Sequence, residues 1–205
     1  STRKYGQLPK TYPSLDKLST YIVGIPYGSS WLYIDASSVN GYINVLPANL
    51  NTDRARIIQK GKDGQWVDLQ KIVEARTMMT VKATLSADGE MKGEIQTLYS
   101  GNAAAKERNI FHAVTDSAAF IARKSSDNGI KISQCNIEGI RDFTPNVTET
   151  IQFTKQGEAT GDHIYLNPYI EFPITHNPFT EKERLLPVEF SYKQTFNTTL
   201  QLTLP

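Results

Sequence analysis

The strongest constraint on the fold is a long alternation of apolar and polar residues that turns back on itself. The apolar positions of its first arm are Met79, Val81, Ala83 and Leu85, and single polar residues separate them. An Asp88-Gly89 pair follows, and a second arm runs from Met91 to Tyr99. A period of two around an Asp-Gly turn predicts a long antiparallel hairpin with one buried face.

The period changes after this hairpin. Apolar residues at the spacing of one helical face are Ile110, Phe111, Val114, Ala118, Ile121 and Ala122. This spacing predicts one amphipathic helix over about residues 102–126, and Asn128-Gly129 is its stop signal. Strands are predicted again over residues 130–137, 149–154, 162–166 and 196–204. A helix packed on a sheet, or closing the end of a sandwich, accounts for this order.

Shorter strand patterns precede the hairpin. Residues 18–25 and 31–34 form one predicted pair and residues 56–59 and 66–69 another, each joined by a turn rich in Gly, Pro or Ser. We therefore predict an α+β, mostly β fold. A small antiparallel sheet over residues 1–72 precedes a β-sandwich-like domain with one amphipathic helix over residues 73–205.

Composition excludes several functional classes. The chain has 205 residues, and an apolar content of 39% is sufficient for a packed core. No run of about 18 apolar residues occurs, so we predict no transmembrane segment. The 22 basic and 21 acidic residues nearly balance, which argues against a basic nucleic-acid-binding surface. A single cysteine, Cys135, excludes a disulfide within the chain.

Several short strings carry a family resemblance. In the first region they are Ser1-Thr-Arg3, Tyr12-Pro-Ser-Leu15, Trp31-Leu-Tyr-Ile-Asp-Ala-Ser37, Leu46-Pro47 and Gln65-Trp-Val-Asp-Leu69. In the second they are Gly161-Asp-His-Ile-Tyr-Leu-Asn-Pro-Tyr169, Asn177-Pro-Phe-Thr-Glu-Lys-Glu-Arg184 and Pro187-Val-Glu-Phe190. Their order and spacing resemble the C-terminal part of bacterial transglutaminase-like proteins, where the end of a papain-type core is followed by a β-rich domain.

The resemblance implies a damaged catalytic triad. In such cores a Cys thiolate attacks a carboxamide, a His moves the proton and an Asp orients the imidazole. Matching the strings places the Asp at Asp35 and puts Thr20 where the His belongs, while the Cys would precede Ser1. A threonine cannot act as a general base near neutral pH, so we expect no intact catalytic site. Asp35 is then a relic, or simply an acid that caps a loop at a strand end.

Other reactive side chains give weaker hypotheses. Cys135 could act as a nucleophile with His112 or His163 as base, but a lone Cys in a strand is usually a small packing residue. His163 and His176 lack metal-ligand spacing. We therefore expect neither a metal site nor a cofactor.

Aromatic residues cluster near the C-terminal strings. Asn167-Pro168 and Asn177-Pro178 are typical of turns, because Asn can bond the backbone two residues on and Pro fixes the next φ. The large side chains beside these turns are Tyr165, Tyr169, Phe172 and Phe179. They indicate a loop folded over the sheet, or a binding face.

The expected role is a non-catalytic structural or binding module of a transglutaminase-like envelope protein. The resemblance alone implies a periplasmic or extracellular location and a protein or cell-envelope polymer as partner. One alternative is a fragment of a Cys-His-Asp transglutaminase or amidase whose nucleophile lies before residue 1. Another is a carbohydrate-binding β-module. We also expect self-association through the strand edges at Phe196 to Leu204 or Leu18 to Ile25, since unpaired strand backbone is a template for another chain.

Overall fold

A computed structural model describes residues 18, 20–72, 74–160, 163–167, 169, 170, 180, 190 and 192–205. Strands dominate, and two helices accompany them, which confirms the predicted α+β, mostly β class. The first strands are β1 (Val23–Tyr27), β2 (Ser30–Ile34), β3 (Ala55–Ile57), β4 (Gln65–Val67), β5 (Glu74–Leu85) and β6 (Glu90–Gly101). Helices α1 (Asn102–His112) and α2 (Ser117–Asn128) follow. The last strands are β7 (Lys131–Glu138), β8 (Asn146–Gln156), β9 (Glu158–Thr160), β10 (His163–Tyr165) and β11 (Lys193–Thr203).

The predicted long hairpin is confirmed as β5 and β6. The two strands pair antiparallel, with Val81 opposite Ile95. The connecting turn contains Gly89 at a φ of 83°, a conformation that Gly adopts without steric cost. The four alternating apolar residues of β5 are buried, as the period of two requires.

A five-stranded sheet in the order β11-β5-β6-β8-β7 is the centre of the fold. β11 pairs parallel with β5, and the other three pairings are antiparallel. One face is apolar, and its central row is Val81, Ile95 and Ile151. The opposite face is polar, and there the Gln152 Nε2 amide donates a 2.7 Å hydrogen bond to Glu94 Oε2. The sheet therefore needs cover on one side only.

Two different segments cover the apolar face. Both helices contact the sheet at one end, where Tyr99 and Val147 pack with Ala104 of α1. Ile164 of the short β9–β10 hairpin, together with Leu166 and Ile170 after it, packs in the main core cluster. The sequence predicted either a helix packed on a sheet or a helix closing the end of a sandwich. Among the described residues, the helices pack on a sheet. Ile164, Leu166 and Ile170 cover the part of the sheet where a sandwich would have its second sheet.

The prediction of one continuous helix over residues 102–126 is wrong. The chain forms two helices because Asp116 has extended backbone and its Oδ1 accepts a 2.7 Å hydrogen bond from the Ala119 N–H, which makes it the N-cap of α2. The break changes the helical phase. Ala118 and Ala122, assigned to the buried face, are exposed, whereas Ala104, Arg108 and Phe120 are buried.

The first region contains two separate hairpins, β1–β2 and β3–β4, where one small sheet was predicted. They share a core whose buried residues are Tyr33, Leu46, Leu50 and Leu69. This core also contacts the second region. Asn102 Nδ2 donates a 3.1 Å hydrogen bond to the Leu46 carbonyl, and Tyr192 packs against the cluster.

Neither helix in the described part of the chain has the length and apolar character of a membrane span. The strings at residues 1–3 and 12–15, and most of those between residues 171 and 191, lie outside the described residues.

The break between the helices gives a first prediction. Asp116→Ala removes the N-cap of α2 and should lower the free energy of unfolding by about 1 kcal/mol. Asp127→Ala removes an exposed acid from the other end of the same helix and should change it by less than about 0.5 kcal/mol. Urea denaturation of both variants measures the difference. Equal midpoints would contradict the assignment of Asp116 as a cap.

Candidate functional site

Asp35 lies just after β2 and is mostly buried. Its Oδ1 accepts hydrogen bonds from the Ser37 backbone N–H at 3.0 Å and from Ser37 Oγ at 2.6 Å. This is the geometry of an acid that holds a turn. Thr20, the residue at the expected His position, is exposed.

The predicted aromatic surface is only partly described. Tyr165 is 63% exposed and Tyr169 is 51% exposed, so both rings are open to solvent. The Tyr169 backbone N–H donates a 3.0 Å hydrogen bond to Asn167 Oδ1, which confirms the predicted Asn turn. Phe172 and Phe179 lie outside the described residues, as does His176.

The other reactive residues lie on three different elements of the fold. Cys135 is half-buried on β7 and packs against the main core cluster. His112 is exposed at the end of α1, with its ring edge-to-face on Phe111 at 5.6 Å, and His163 is exposed on β10. Among the described residues no three His, Cys, Asp or Glu side chains come together in a way that could hold a metal ion.

The most site-like feature is a groove that the sequence did not indicate. It lies between α1, α2 and the β5–β11 edge of the sheet and has a volume of about 310 Å³. We call it the helix–edge groove. Its aromatic lining residues are Tyr99, Phe120, Tyr192 and Phe196, and its amide-bearing ones are Asn102, Asn128, Gln194 and Asn197. A small concave site with aromatic walls and a few polar groups is typical of ligand binding.

A buried charge cluster forms the base of the groove. Lys124 Nζ lies 2.7 Å from Glu149 Oε1 and 3.5 Å from Glu107 Oε2. The same ammonium donates to Tyr99 Oη at 3.3 Å and sits over the rings of Tyr99 and Phe120, at 5.4 and 5.3 Å from their centroids. Glu149 is only 2% exposed, so its charge depends on these partners.

Burial raises the pKa of Glu149 above its ordinary value of 4.5. The attraction and hydrogen bond of Lys124 oppose this rise, while the nearby Glu107 adds to it. The balance remains a raised pKa, because a carboxylate inside a protein loses the hydration that stabilises its charge in water.

A second buried cation fixes α1. The Arg108 guanidinium is 4% exposed and donates hydrogen bonds to the carbonyls of Gly139, Thr144 and Asn146, the shortest at 2.7 Å to Thr144. Burial lowers the pKa of Arg108. These bonds tie α1 to the loop between β7 and β8. Because Lys106, Glu107 and Ile110 of α1 line the helix–edge groove, this anchor also sets the position of one groove wall.

One sequence signal, not used in the sequence analysis, could have pointed to the charge cluster beside the groove. Along β8 the buried positions are Val147, Glu149, Ile151 and Phe153, so a carboxylate occupies the phase of the core. A charge at a core position needs a buried partner, which Lys124 supplies.

No protein-family model matches the chain, and neither a curated protein nor a solved structure is significantly similar to it. The resemblance to transglutaminase-like proteins therefore rests on the sequence strings. A function has to be argued from the site itself.

The raised pKa of Glu149 gives a second prediction. The folded protein holds the Glu149 proton more tightly than the unfolded chain does, so this proton stabilises the fold. Its contribution to the unfolding free energy is fully present below pH 4.5 and is lost as pH rises through the raised pKa. Glu149→Gln keeps a neutral side chain at every pH. From pH 4.5 to 8, the unfolding free energy of the wild type should therefore decline relative to that of the variant.

Urea denaturation across this pH range measures the two profiles. Glu138→Gln changes an exposed acid of β7 and retains Glu149, so it should follow the wild-type profile. Parallel profiles for wild type and Glu149→Gln would contradict the predicted linkage.

Proposed function

We propose that this chain is a non-catalytic binding module and that the helix–edge groove is its binding site. The observation that carries the proposal is the groove itself, in which aromatic and amide side chains surround charges that are already paired. Lys124 is paired with Glu149 and Glu107, and Arg123 Nε lies 3.7 Å from Asp127 Oδ2. Such walls offer contact area and hydrogen bonds to a ligand.

The groove has surface left for a ligand to cover. Phe196 on β11 is 43% exposed, and Tyr192 just before this strand is half-buried. Gln194 and Asn197 of the same strand are exposed and carry amide groups that line the groove. Burying the remaining Phe196 surface would contribute about 1 kcal/mol to binding.

The hydrogen bonds of Asp35 support the non-catalytic part of the proposal. Its Oδ1 accepts hydrogen bonds from the backbone N–H and the hydroxyl of Ser37. Thr20 occupies the position where the resemblance places a His. Membership of a transglutaminase-like envelope protein, in the periplasm or outside the cell, is proposed from the sequence strings alone. The enzyme alternative needs a Cys at the start of a helix encoded before Ser1, and the sequence of the gene upstream decides it.

The carbohydrate-binding alternative now has a specific observation in its favour. The aromatic and amide lining of the helix–edge groove combines the flat surfaces and the hydrogen-bonding groups that a sugar uses. The carbohydrate-binding alternative uses the same groove as the general binding proposal, so both predict contacts with the same groove residues.

A titration of isotope-labelled protein with peptidoglycan fragments tests the proposed site, because these fragments carry both glycan and peptide. Backbone amide signals of groove residues should shift. Phe196→Ala should weaken binding about fivefold, as expected for the loss of about 1 kcal/mol. Phe143→Ala removes a ring that is 76% exposed in the loop between β7 and β8, away from the groove lining, and should bind like the wild type.

Two results would argue against a binding role for the groove. One is the absence of shifts at groove residues with any fragment. The other is equal affinity of the wild type and Phe196→Ala.

We also propose that β11 pairs with a strand of a second copy. No described strand occupies its outer edge, and residues 194–204 carry no charge that would oppose pairing. The strand is largely exposed along its length, so pairing would bury both backbone groups and apolar side chains.

Light scattering over a concentration series tests this pairing. The wild type should dimerise as concentration rises, and Thr199→Lys should remain a monomer because it places a charge in the middle of the edge strand. Thr150→Lys puts the same charge on β8, an internal strand, and should dimerise normally. A wild type that stays monomeric at every concentration, or a Thr199→Lys variant that dimerises, would rule out the β11 edge.

A further inference from the structure

The charges of the helix–edge groove cancel. Its lining contains three cations, Lys106, Arg123 and Lys124, and two acids, Glu107 and Asp127. The Glu149 carboxylate, 2.7 Å from Lys124 Nζ, adds a third negative charge. Three positive charges and three negative charges are then present. An ionic ligand would therefore gain no net attraction, and it would compete with ion pairs that are already formed. The groove suits a neutral ligand.

Two aromatic rings form the accessible wall. Lys124 lies over the rings of Tyr99 and Phe120, so a ligand meets Tyr192 and Phe196 on the β11 side more readily. The face of an aromatic ring carries a negative potential. The C–H groups of a sugar ring are slightly positive, because each carbon bears an oxygen, and they pack well on such a face.

One buried acceptor lacks a donor. Glu107 Oε2 is buried and accepts no hydrogen bond from the described residues, and its 3.5 Å distance from Lys124 Nζ is an ion-pair distance. A buried acceptor without a hydrogen-bond donor is destabilising. Because the Glu107 side chain lines the groove and is 12% exposed, a rotation of its carboxylate would bring this oxygen to a ligand hydroxyl. Thr77, Thr198 and Asn197 supply further donors and acceptors around the groove.

From these three observations we infer that the helix–edge groove binds a neutral saccharide unit. The pyranose ring packs on Tyr192 and Phe196, and one hydroxyl donates to Glu107 Oε2. A volume of about 310 Å³ holds about one or two such rings. The inference rests on the proposed binding function of the same groove and names its ligand class.

The test is an NMR titration of the labelled chain with four probes. Two are neutral disaccharides, cellobiose and N,N′-diacetylchitobiose. A third is glucuronic acid, and the fourth is a tripeptide, Ala-Gln-Ala. At least one neutral disaccharide should shift the amide signals of groove residues and bind about fivefold less tightly to Phe196→Ala.

Glu107→Gln tests the charge balance directly. It removes one negative charge from the groove and weakens the acceptor at Oε2. Affinity for the neutral disaccharide should fall about threefold. The ratio of the glucuronic acid affinity to the disaccharide affinity should rise by a similar factor, as expected for the removal of one partly exposed negative charge. Glu138→Gln, an exposed acid outside the groove, should change neither affinity, and unfolding curves confirm that each variant is folded.

The outcomes separate the saccharide inference from the binding proposal. Groove shifts with the tripeptide but with neither disaccharide would overturn the saccharide inference and leave the binding site standing. Tighter binding of glucuronic acid than of either neutral sugar to the wild type would also overturn it. No groove shifts with these probes or with the peptidoglycan fragments would overturn both.

Discussion

The ion pair between Lys124 and Glu149 is the contact on which the functional end of the molecule depends. α2 buries only one large apolar side chain fully, Phe120, so apolar packing alone holds it weakly. Lys124 adds a 2.7 Å charged contact to β8 and covers two rings. Removing one partner of such a pair typically costs about 3–5 kcal/mol, because the other charge stays buried. The position of α2 therefore follows from the placement of one charge within the sheet.

The helix–edge groove is a consequence of how the two helices are fixed. Arg108 holds α1 through the carbonyls of the β7–β8 loop, while Lys124 holds α2 through the sheet. Both helices are thereby fixed against the sheet, and the space left between them and the β5–β11 edge is the groove.

The sequence predicted the parts of the fold in which local pattern and tertiary burial agree. The β5–β6 hairpin is such a case, since its alternation, its Asp-Gly turn and its buried face are all encoded within a few residues. The helix break was missed because the apolar stripe was followed through Asp116, a strong N-cap residue. The groove was not predictable residue by residue. Its lining comes from five elements, α1, α2, β5, β6 and β11, and Phe196 lines the same groove as the two helices because β11 pairs with β5, a strand from the other end of the second region.

The geometry of β11 makes the two proposed contacts compatible. Inward side chains such as Phe196 and Thr198 line the groove, whereas the hydrogen-bonding edge lies in the plane of the sheet and faces away from β5. A second copy can therefore pair with this edge while a ligand occupies the groove. Antiparallel pairing of two identical strands about a two-fold axis perpendicular to the sheet keeps both inward faces on the same side. The two grooves then open over one continuous surface, an arrangement that increases avidity for a polymer with repeating units.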